Sequence, residues 1–158
     1  MARPKSARFR RIGAVLSADE LPLVLIQIDH PLLAEPMRYV NDTQDVVSNG
    51  ENYRCTSFQF VWPDDEERQS PRAQLVIGNH RGDVGAFFER AHGGRGAVVT
   101  VRQILRSNPD FLEDELTLDI GSIEVSAASV SGRLGYDDVL NKAGSPATFR
   151  PNTAPGLF

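Results

Sequence analysis

The chain has only one cysteine, Cys55, among its 158 residues. A single thiol cannot form an internal disulfide, and it excludes every metal site that needs several cysteine ligands. Cys55 falls on the apolar parity of a predicted strand, so we interpret it as a small buried residue. A domain of this length can bury about two thirds of its unfolded surface. The sequence therefore predicts one domain that needs no covalent cross-link.

Long hydrophobic runs are also missing. The longest, Leu23 to Ile26, is far shorter than the roughly 20 apolar residues that cross a bilayer. The net charge of -4 gives no general attraction to nucleic acid or to anionic membranes. Positive charge is concentrated at one end of the chain, where no signal-peptide core follows it. The clustered cations are Arg3, Lys5, Arg8, Arg10 and Arg11. We expect a soluble protein that is made in the cytoplasm.

Signatures of catalysis and metal binding are sparse. The three histidines, His30, His80 and His92, are scattered, without other ligands at helical spacing. Gly-x-Ser-x-Gly, His-Glu-x-x-His and phosphate-loop patterns do not occur. Residues 93–96 (Gly-Gly-Arg-Gly) follow a predicted helix, which is the position of a helix stop. We predict no enzymatic activity, no cofactor and no metal; a peptidase pairing Cys55 with His30 or His92 stays as a remote alternative.

The strongest positive signal is a β-hairpin within residues 46–62. Asn49-Gly50 favours the type I′ turn whose twist matches two antiparallel strands. The alternating apolar side chains fall at odd positions in Tyr53 and Cys55 and at even positions in Phe58, Phe60 and Trp62. This change indicates a bulge or bend that keeps the apolar side chains of both segments facing inward. Pro63 ends the strand. A predicted acidic loop follows, with the residues Asp64, Asp65, Glu66 and Glu67.

Short strand patterns recur at intervals of about ten residues through the rest of the chain. The first, Leu21 to Asp29, is apolar on both parities and should be covered on both faces. The one convincing helix runs from Asp83 to His92. We predict a mainly β (α+β) fold, an antiparallel β-sandwich or barrel of about eight strands with one short packed helix. The predicted core aromatics are Phe58, Phe60, Trp62, Phe87 and Phe88.

This pattern predicts three regions: a basic N-terminal arm over residues 1–20, a β-sandwich domain over 21–145 and an extended tail over 146–158. A short amphipathic helix is permitted in the arm but not demanded by its spacing. The tail ends in the apolar pair Leu157-Phe158, which should find a pocket, and that pocket could belong to a neighbour.

Six short motifs, in order, resemble an uncharacterised family of small tail-assembly proteins of long-tailed bacteriophages and prophages. The resemblance covers residues 20–158. The motifs are Pro36-Met37-Arg38-Tyr39-Val40-Asn41-Asp42-Thr43, Ser48-Asn49-Gly50, Pro63-Asp64-Asp65, Gly93-Gly94-Arg95-Gly96, Val130-Ser131-Gly132-Arg133-Leu134 and Pro155-Gly156-Leu157-Phe158.

The resemblance implies a structural part of the virion, similar to a distal tail or minor tail protein with a tail-tube-like fold. It would form a ring of copies, hexameric in preference to trimeric, that links the tail tube to the tip beside the tape-measure and hub proteins. Assembly would take place in the host cytoplasm. We expect Arg8, Arg10, Arg11, Leu157 and Phe158 to contact neighbouring subunits. The acidic loop could face the lumen and repel passing DNA without specificity.

A carbohydrate- or host-surface-binding β-sandwich module is the main alternative. It would need exposed aromatic side chains, and the candidates are Tyr39, Tyr53, Trp62 and Tyr136, most of which we expect to be buried. Nucleic-acid binding by the basic arm is a further alternative, although the arm lacks interleaved aromatic residues.

Overall fold

The computed structural model describes residues 5–14, 20–63, 72–80 and 82–136, and these contain two helices and nine strands. The helices are α1 (Ala7–Ala14) and α2 (Asp83–Arg90). The strands are β1 (Leu23–Asp29), β2 (Met37–Val40), β3 (Val46–Ser48), β4 (Glu51–Cys55), β5 (Phe58–Val61), β6 (Arg72–Gly78), β7 (Val98–Ile104), β8 (Asp114–Val125) and β9 (Ser129–Gly135). Neither helix is long and apolar enough to cross a membrane.

All nine strands belong to one mixed sheet in the order β3-β4-β2-β1-β7-β8-β9-β6-β5. Its pairs are antiparallel except β2 with β4, which run parallel. The mainly β prediction is confirmed, with nine described strands where about eight were expected. The sheet has two ends, β3 and β5, and therefore does not close into a barrel.

Strand β1 lies near the middle of the sheet and is covered on both faces, as its apolar parities predict. Ile26 and Ile28 are buried in the larger core, which also contains the buried face of α2. Leu23 and Leu25 point the other way into a smaller apolar cluster with Tyr53. Burial on both faces explains why β1 reads as a nearly continuous apolar run.

The predicted hairpin is confirmed as β3 and β4. Asn49 and Gly50 have φ angles of 51° and 82°, and Ser48 pairs with Glu51 across the turn. Positive φ at both positions is what a type I′ turn requires, and asparagine and glycine tolerate it best.

The predicted change of direction between Cys55 and Phe58 is also confirmed. β4 ends at Cys55, the two residues Thr56 and Ser57 form a bend, and β5 begins at Phe58. The Thr56 N–H donates to Val40 O of β2 at 3.0 Å, and the Gly78 N–H of β6 donates to Ser57 O at 2.9 Å. One bent segment therefore joins strands that lie almost at opposite ends of the sheet order.

Helix α2 packs its apolar side on the larger core. Phe87 and Phe88 are buried there, with ring centroids 4.9 Å apart. Phe58, Phe60 and Trp62 are partly buried against the same core. The turn after α2 brings Gly94, at positive φ, against the ring of Phe88, where a Cβ would lie 2.7 Å from a ring carbon. The helix stop predicted for residues 93–96 is therefore also a close packing contact.

Other expectations are refined. A register shift between Ile120 and Ser122 of β8 lies at Gly121, and glycine inside a strand is typical of such irregularities. Cys55 is half-buried against the smaller cluster rather than fully buried. α1 shows that the arm contains a helix that its sequence permitted without demanding. The acidic loop and the tail over 146–158 lie outside the described residues.

Replacing Gly50 with alanine should lower the free energy of unfolding by about 1 kcal/mol, because the new Cβ is disfavoured at a φ of 82°. Urea unfolding followed by circular dichroism measures the change. Gly121→Ala is the matched control: Gly121 is exposed, lacks a positive φ, and its new Cβ would meet Arg133 O at an ordinary 3.4 Å. Equal costs in the two variants would contradict the turn assignment.

Candidate functional site

The basic arm is attached to the sheet at the first turn of α1. Ser6 precedes the helix, and its Oγ accepts a hydrogen bond from the Phe9 N–H at 3.1 Å. This is the geometry of an N-cap. The same hydroxyl donates to Glu113 Oε1, and the Ser6 N–H donates to Glu113 Oε2 at 2.8 Å. One serine thus begins the helix and fastens it to the body.

Glu113 is the buried member of this contact, with only 2% of its surface exposed. It immediately precedes β8, and its N–H donates to Gln103 O at 2.8 Å. A buried carboxylate is costly unless hydrogen-bond donors satisfy it. Within the described residues, both hydrogen bonds to this carboxylate are donated by Ser6. The arm therefore supplies what Glu113 needs to stay buried.

Two ion pairs flank this anchor. Lys5 Nζ lies 3.3 Å from Asp114 Oδ2, and both side chains are partly exposed. Arg8 lies 3.2 Å from Glu20 Oε2, and the same carboxylate accepts hydrogen bonds from the Ser107 N–H and Oγ. Burial raises the pKa of Glu20, but the two Ser107 bonds and the charge of Arg8 together hold that pKa below its usual value.

The predicted interface arginines lie on the exposed side of α1. Arg8, Arg10 and Arg11 are all exposed, and Arg8 pairs with Glu20 of its own chain. No salt bridge within the described residues involves Arg10 or Arg11. The remaining predicted residues, Leu157, Phe158, Asp64, Asp65, Glu66 and Glu67, lie outside the part of the chain that the structure describes.

An open groove of about 520 Å³ separates the β2–β4 pair from α2. Its wall carries both charges, and Arg38 lies 3.0 Å from Glu51 across the pair of strands. Apolar contributions come from Met37 and Phe87. The Arg38 Nε is buried and has no hydrogen-bond partner among the residues that the structure describes. Mixed charge on an open wall suits a polar surface contact better than a small apolar ligand.

A smaller cavity of about 270 Å³ adjoins this groove and shares Tyr39, Arg54 and Asp83 with it. Cys55 and His80 both line the smaller cavity. His30 lies elsewhere: its Nε2 contacts Arg95 O at 3.1 Å, and its ring meets Phe87 edge-on. The structure therefore does not bring Cys55 and His30 to one cavity. No group of three metal-ligating side chains occurs among the described residues.

A polar network joins four strands on the face of the sheet that carries the smaller apolar cluster, with Arg102 of β7 at its centre. Arg102 donates to Glu115 at 2.7 Å, to Gln27 at 3.0 Å and to Tyr53 Oη at 2.8 Å. Burial lowers the pKa of Arg102, but its bond to Glu115 and the contact with Tyr53 raise that pKa overall. The network fixes β4 over β1, β7 and β8, so we interpret it as structural.

The aromatic side chains that a glycan platform would need are mostly covered. Tyr39 and Tyr53 are buried, as expected from the sequence. Trp62 is half-buried and meets the Phe60 ring edge-on at 5.0 Å. Tyr136 is half exposed, and Phe111 is the other exposed aromatic among the described residues.

The fold and these surfaces define a small mainly β protein with an open sheet, a mixed-charge groove and a basic helical arm that is anchored at its first turn. The sequence matches the family described as a domain of unknown function, DUF1833, over residues 10–149, and the chain belongs to that family. No curated protein matches the chain.

The sequence predicts an interface role for the arginines of the arm, and this stays a prediction; it gave no sign of the anchor between Ser6 and Glu113. Ser6 and Glu113 are 107 positions apart, and neither stands in a recognisable motif. A local signal existed only for the cap, since serine is a preferred residue at that position. Which acid the arm contacts depends on how the sheet brings residue 113 to the arm.

Ser6→Ala should loosen α1 without unfolding the sheet. The change removes the helix cap and one of two donors to Glu113, a loss of about 1 kcal/mol in local stability. Trypsin should then cleave after Arg8, Arg10 and Arg11 roughly fivefold faster, as measured by mass spectrometry of timed digests. Ser6→Thr keeps a hydroxyl and should restore the slow rate. Unchanged cleavage in Ser6→Ala would refute the anchor.

The stability that Glu20 contributes should depend on pH. Because the folded state lowers its pKa, the contribution is present above the pKa of about 4.3 that glutamate has when unfolded, and is lost as pH falls through the folded value. Urea unfolding at several pH values should show wild type losing its advantage over Glu20→Gln as the solution is acidified. Ser107→Ala should shrink this difference. Parallel curves for wild type and Glu20→Gln would contradict the assignment.

Proposed function

We propose that this protein is a structural component of a bacteriophage tail, at the tail tip or as a minor tail protein, and that it is not an enzyme. The support from sequence is the series of six motifs over residues 20–158 that resembles small tail-assembly proteins. The family description itself names no function. Structural support for the proposal comes from the surfaces of the chain itself.

The observation that carries the proposal is the attachment of the arm. α1 is held through Ser6 at its beginning, while Arg10 and Arg11 on the following turn are exposed. A helix that is anchored at its first turn and leaves Arg10 and Arg11 exposed is suited to contact a neighbouring subunit. An arm that only stabilised its own body would be expected to bury more of its length.

The proposed assembly is a ring of identical copies, six in preference to three, between the tail tube and the tip. Tape-measure and hub proteins would be its neighbours. Head-to-tail contacts close into a ring when their rotation is a fraction of a full turn. Leu157 and Phe158 are proposed as a second contact between copies, and Asp64 to Glu67 as lumen-facing charges that repel DNA.

A carbohydrate- or host-surface-binding module is the second candidate. Its best support is the exposure of Tyr136 and Phe111 on the described surface. Stacking on sugars uses exposed rings, and Tyr39 and Tyr53 are both buried, so half of the four predicted aromatics are withdrawn from such a site. The tail-ring proposal accounts for the basic arm as well, which the glycan proposal leaves without a role.

Size measurement tests the ring. Sedimentation velocity and native mass spectrometry of the purified chain, alone and with its tail neighbours, should show a species of six or three copies. The double variant Arg10→Glu/Arg11→Glu should sediment as a monomer, because the charge that contacts the neighbouring copy is reversed. Its melting temperature should not change, because Ser6 and Glu113 still anchor α1. Arg95→Glu/Arg133→Glu makes the same charge change at exposed positions off the arm and should keep the ring. A monomeric wild type under every condition would reject the proposal.

A further inference from the structure

We propose that copies of this chain join by β-strand addition, with the open edge of β3 in one copy pairing with the open edge of β5 in the next. The inference rests on the proposed ring and specifies the contact that would build it. The strands concerned, Val46–Ser48 and Phe58–Val61, are the two ends of the nine-stranded sheet.

The register of β5 shows which of its main-chain groups face outward. The Gly78 N–H donates to Ser57 O directly opposite, so Ser57 and Gly78 are a hydrogen-bonded pair. Bonded and non-bonded pairs alternate along an antiparallel ladder. Phe58 and Phe60 therefore direct their N–H and C=O groups away from β6. Within the described part of the chain, no hydrogen bond from another element reaches these groups.

The register of β3 likewise shows which of its main-chain groups face outward. In a two-residue hairpin the residues flanking the turn, Ser48 and Glu51, form a bonded pair. Val47, one residue further from the turn and opposite Asn52, therefore points its N–H and C=O away from β4. No backbone hydrogen bond between elements of the described chain involves Val47. Each end of the sheet thus presents main-chain donors and acceptors of the kind that another strand satisfies.

Neither edge strand carries the residues that usually prevent such pairing, although a loop contacts the turn end of β3, where Ser48 Oγ donates to Pro109 O at 2.7 Å and the Asn49 N–H donates to Asp110 Oδ1 at 2.6 Å. Natural edge strands are protected by charged side chains, by proline or by bulges. β3 has the sequence Val-Val-Ser and β5 has Phe-Gln-Phe-Val, without a charge or a proline in either. The acid next to β3, Asp45, is turned back to accept the Cys55 N–H at 2.8 Å. The β5 edge and the part of the β3 edge at Val47 are therefore left open to association.

Exposed apolar side chains coincide with these edges. Val47 of β3 is 58% exposed and Val61 of β5 is 49% exposed. β-Branched residues are favoured in cross-strand pairs, where their exposed surface is covered by the neighbouring strand. At each edge, one added strand would both bond the outward main-chain groups and cover the exposed valine.

A second copy is the occupant because each chain has both edges. Joining unlike edges leaves one of each free on the growing assembly, so the contact repeats, and it closes into a ring when its rotation is a fraction of a full turn. Joining like edges would stop at a dimer. In that arrangement β5 would pair with its own copy, Phe58 opposite Phe60 and Gln59 on the two-fold axis. The two arrangements differ in which edge is needed, and this difference can be measured.

The test blocks one edge at a time with a lysine, a residue that natural edge strands use against pairing. Val47→Lys blocks the β3 edge and Val61→Lys blocks the β5 edge; both positions are exposed, so the fold should survive, which circular dichroism verifies. Each variant alone should sediment as a monomer. Mixed in equal amounts, they should form a one-to-one dimer and nothing larger, because only one unblocked pair of edges remains.

The control is Val125→Lys, at an exposed position of β8 inside the sheet order, which should keep the wild-type assembly. A ring that persists in both blocked variants would overturn the edge contact and leave the proposed function standing. Dimers of Val47→Lys alone would overturn it in favour of β5 pairing with itself. A wild type that stays monomeric, alone and with its tail neighbours, would remove the proposed function.

Discussion

The structure depends on the bend at Thr56 and Ser57. On one side of this bend the chain pairs with β2 and β3, and on the other it pairs with β6, so two regions far apart in the sheet are joined by two residues. Where the chain bends, its side chains turn to the other face, so the apolar residues stay inward only if they move from odd to even positions. The sequence changes parity at this point.

A second constraint is the cost of burying the Glu113 carboxylate. Ser6 meets it with two hydrogen bonds, and in doing so it determines where α1 begins on the surface. Polar anchors of this kind specify position more than they add stability. The sheet and the arm thus have different roles. Apolar burial on both faces of β1 makes the body, whereas a single serine positions the cationic helix that we propose for contact between copies.

Local chemistry made much of this fold predictable. Asn49-Gly50 marked the hairpin, the doubled apolar parity of β1 marked a central strand, and the phenylalanine spacing marked α2. Pairings over long distances were not predictable in the same way. The parallel pairing of Tyr39 with Arg54 has no signal of its own, because either direction satisfies the same apolar pattern. The Ser6 anchor was missed for a related reason: its partner becomes a neighbour only after β7 and β8 have paired.

The position of β9 has a consequence for synthesis on the ribosome. β9 (Ser129–Gly135) lies between β8 and β6, so the β5–β6 hairpin has no neighbouring strand until this late segment leaves the exit tunnel. Until then the inner side of β6, including Leu75 and Ile77, has an incomplete apolar surrounding. The nascent chain therefore passes through a stage in which eight of the nine described strands are made but the β5–β6 pair is still separate from the rest of the sheet. Such intermediates are the species that chaperones bind.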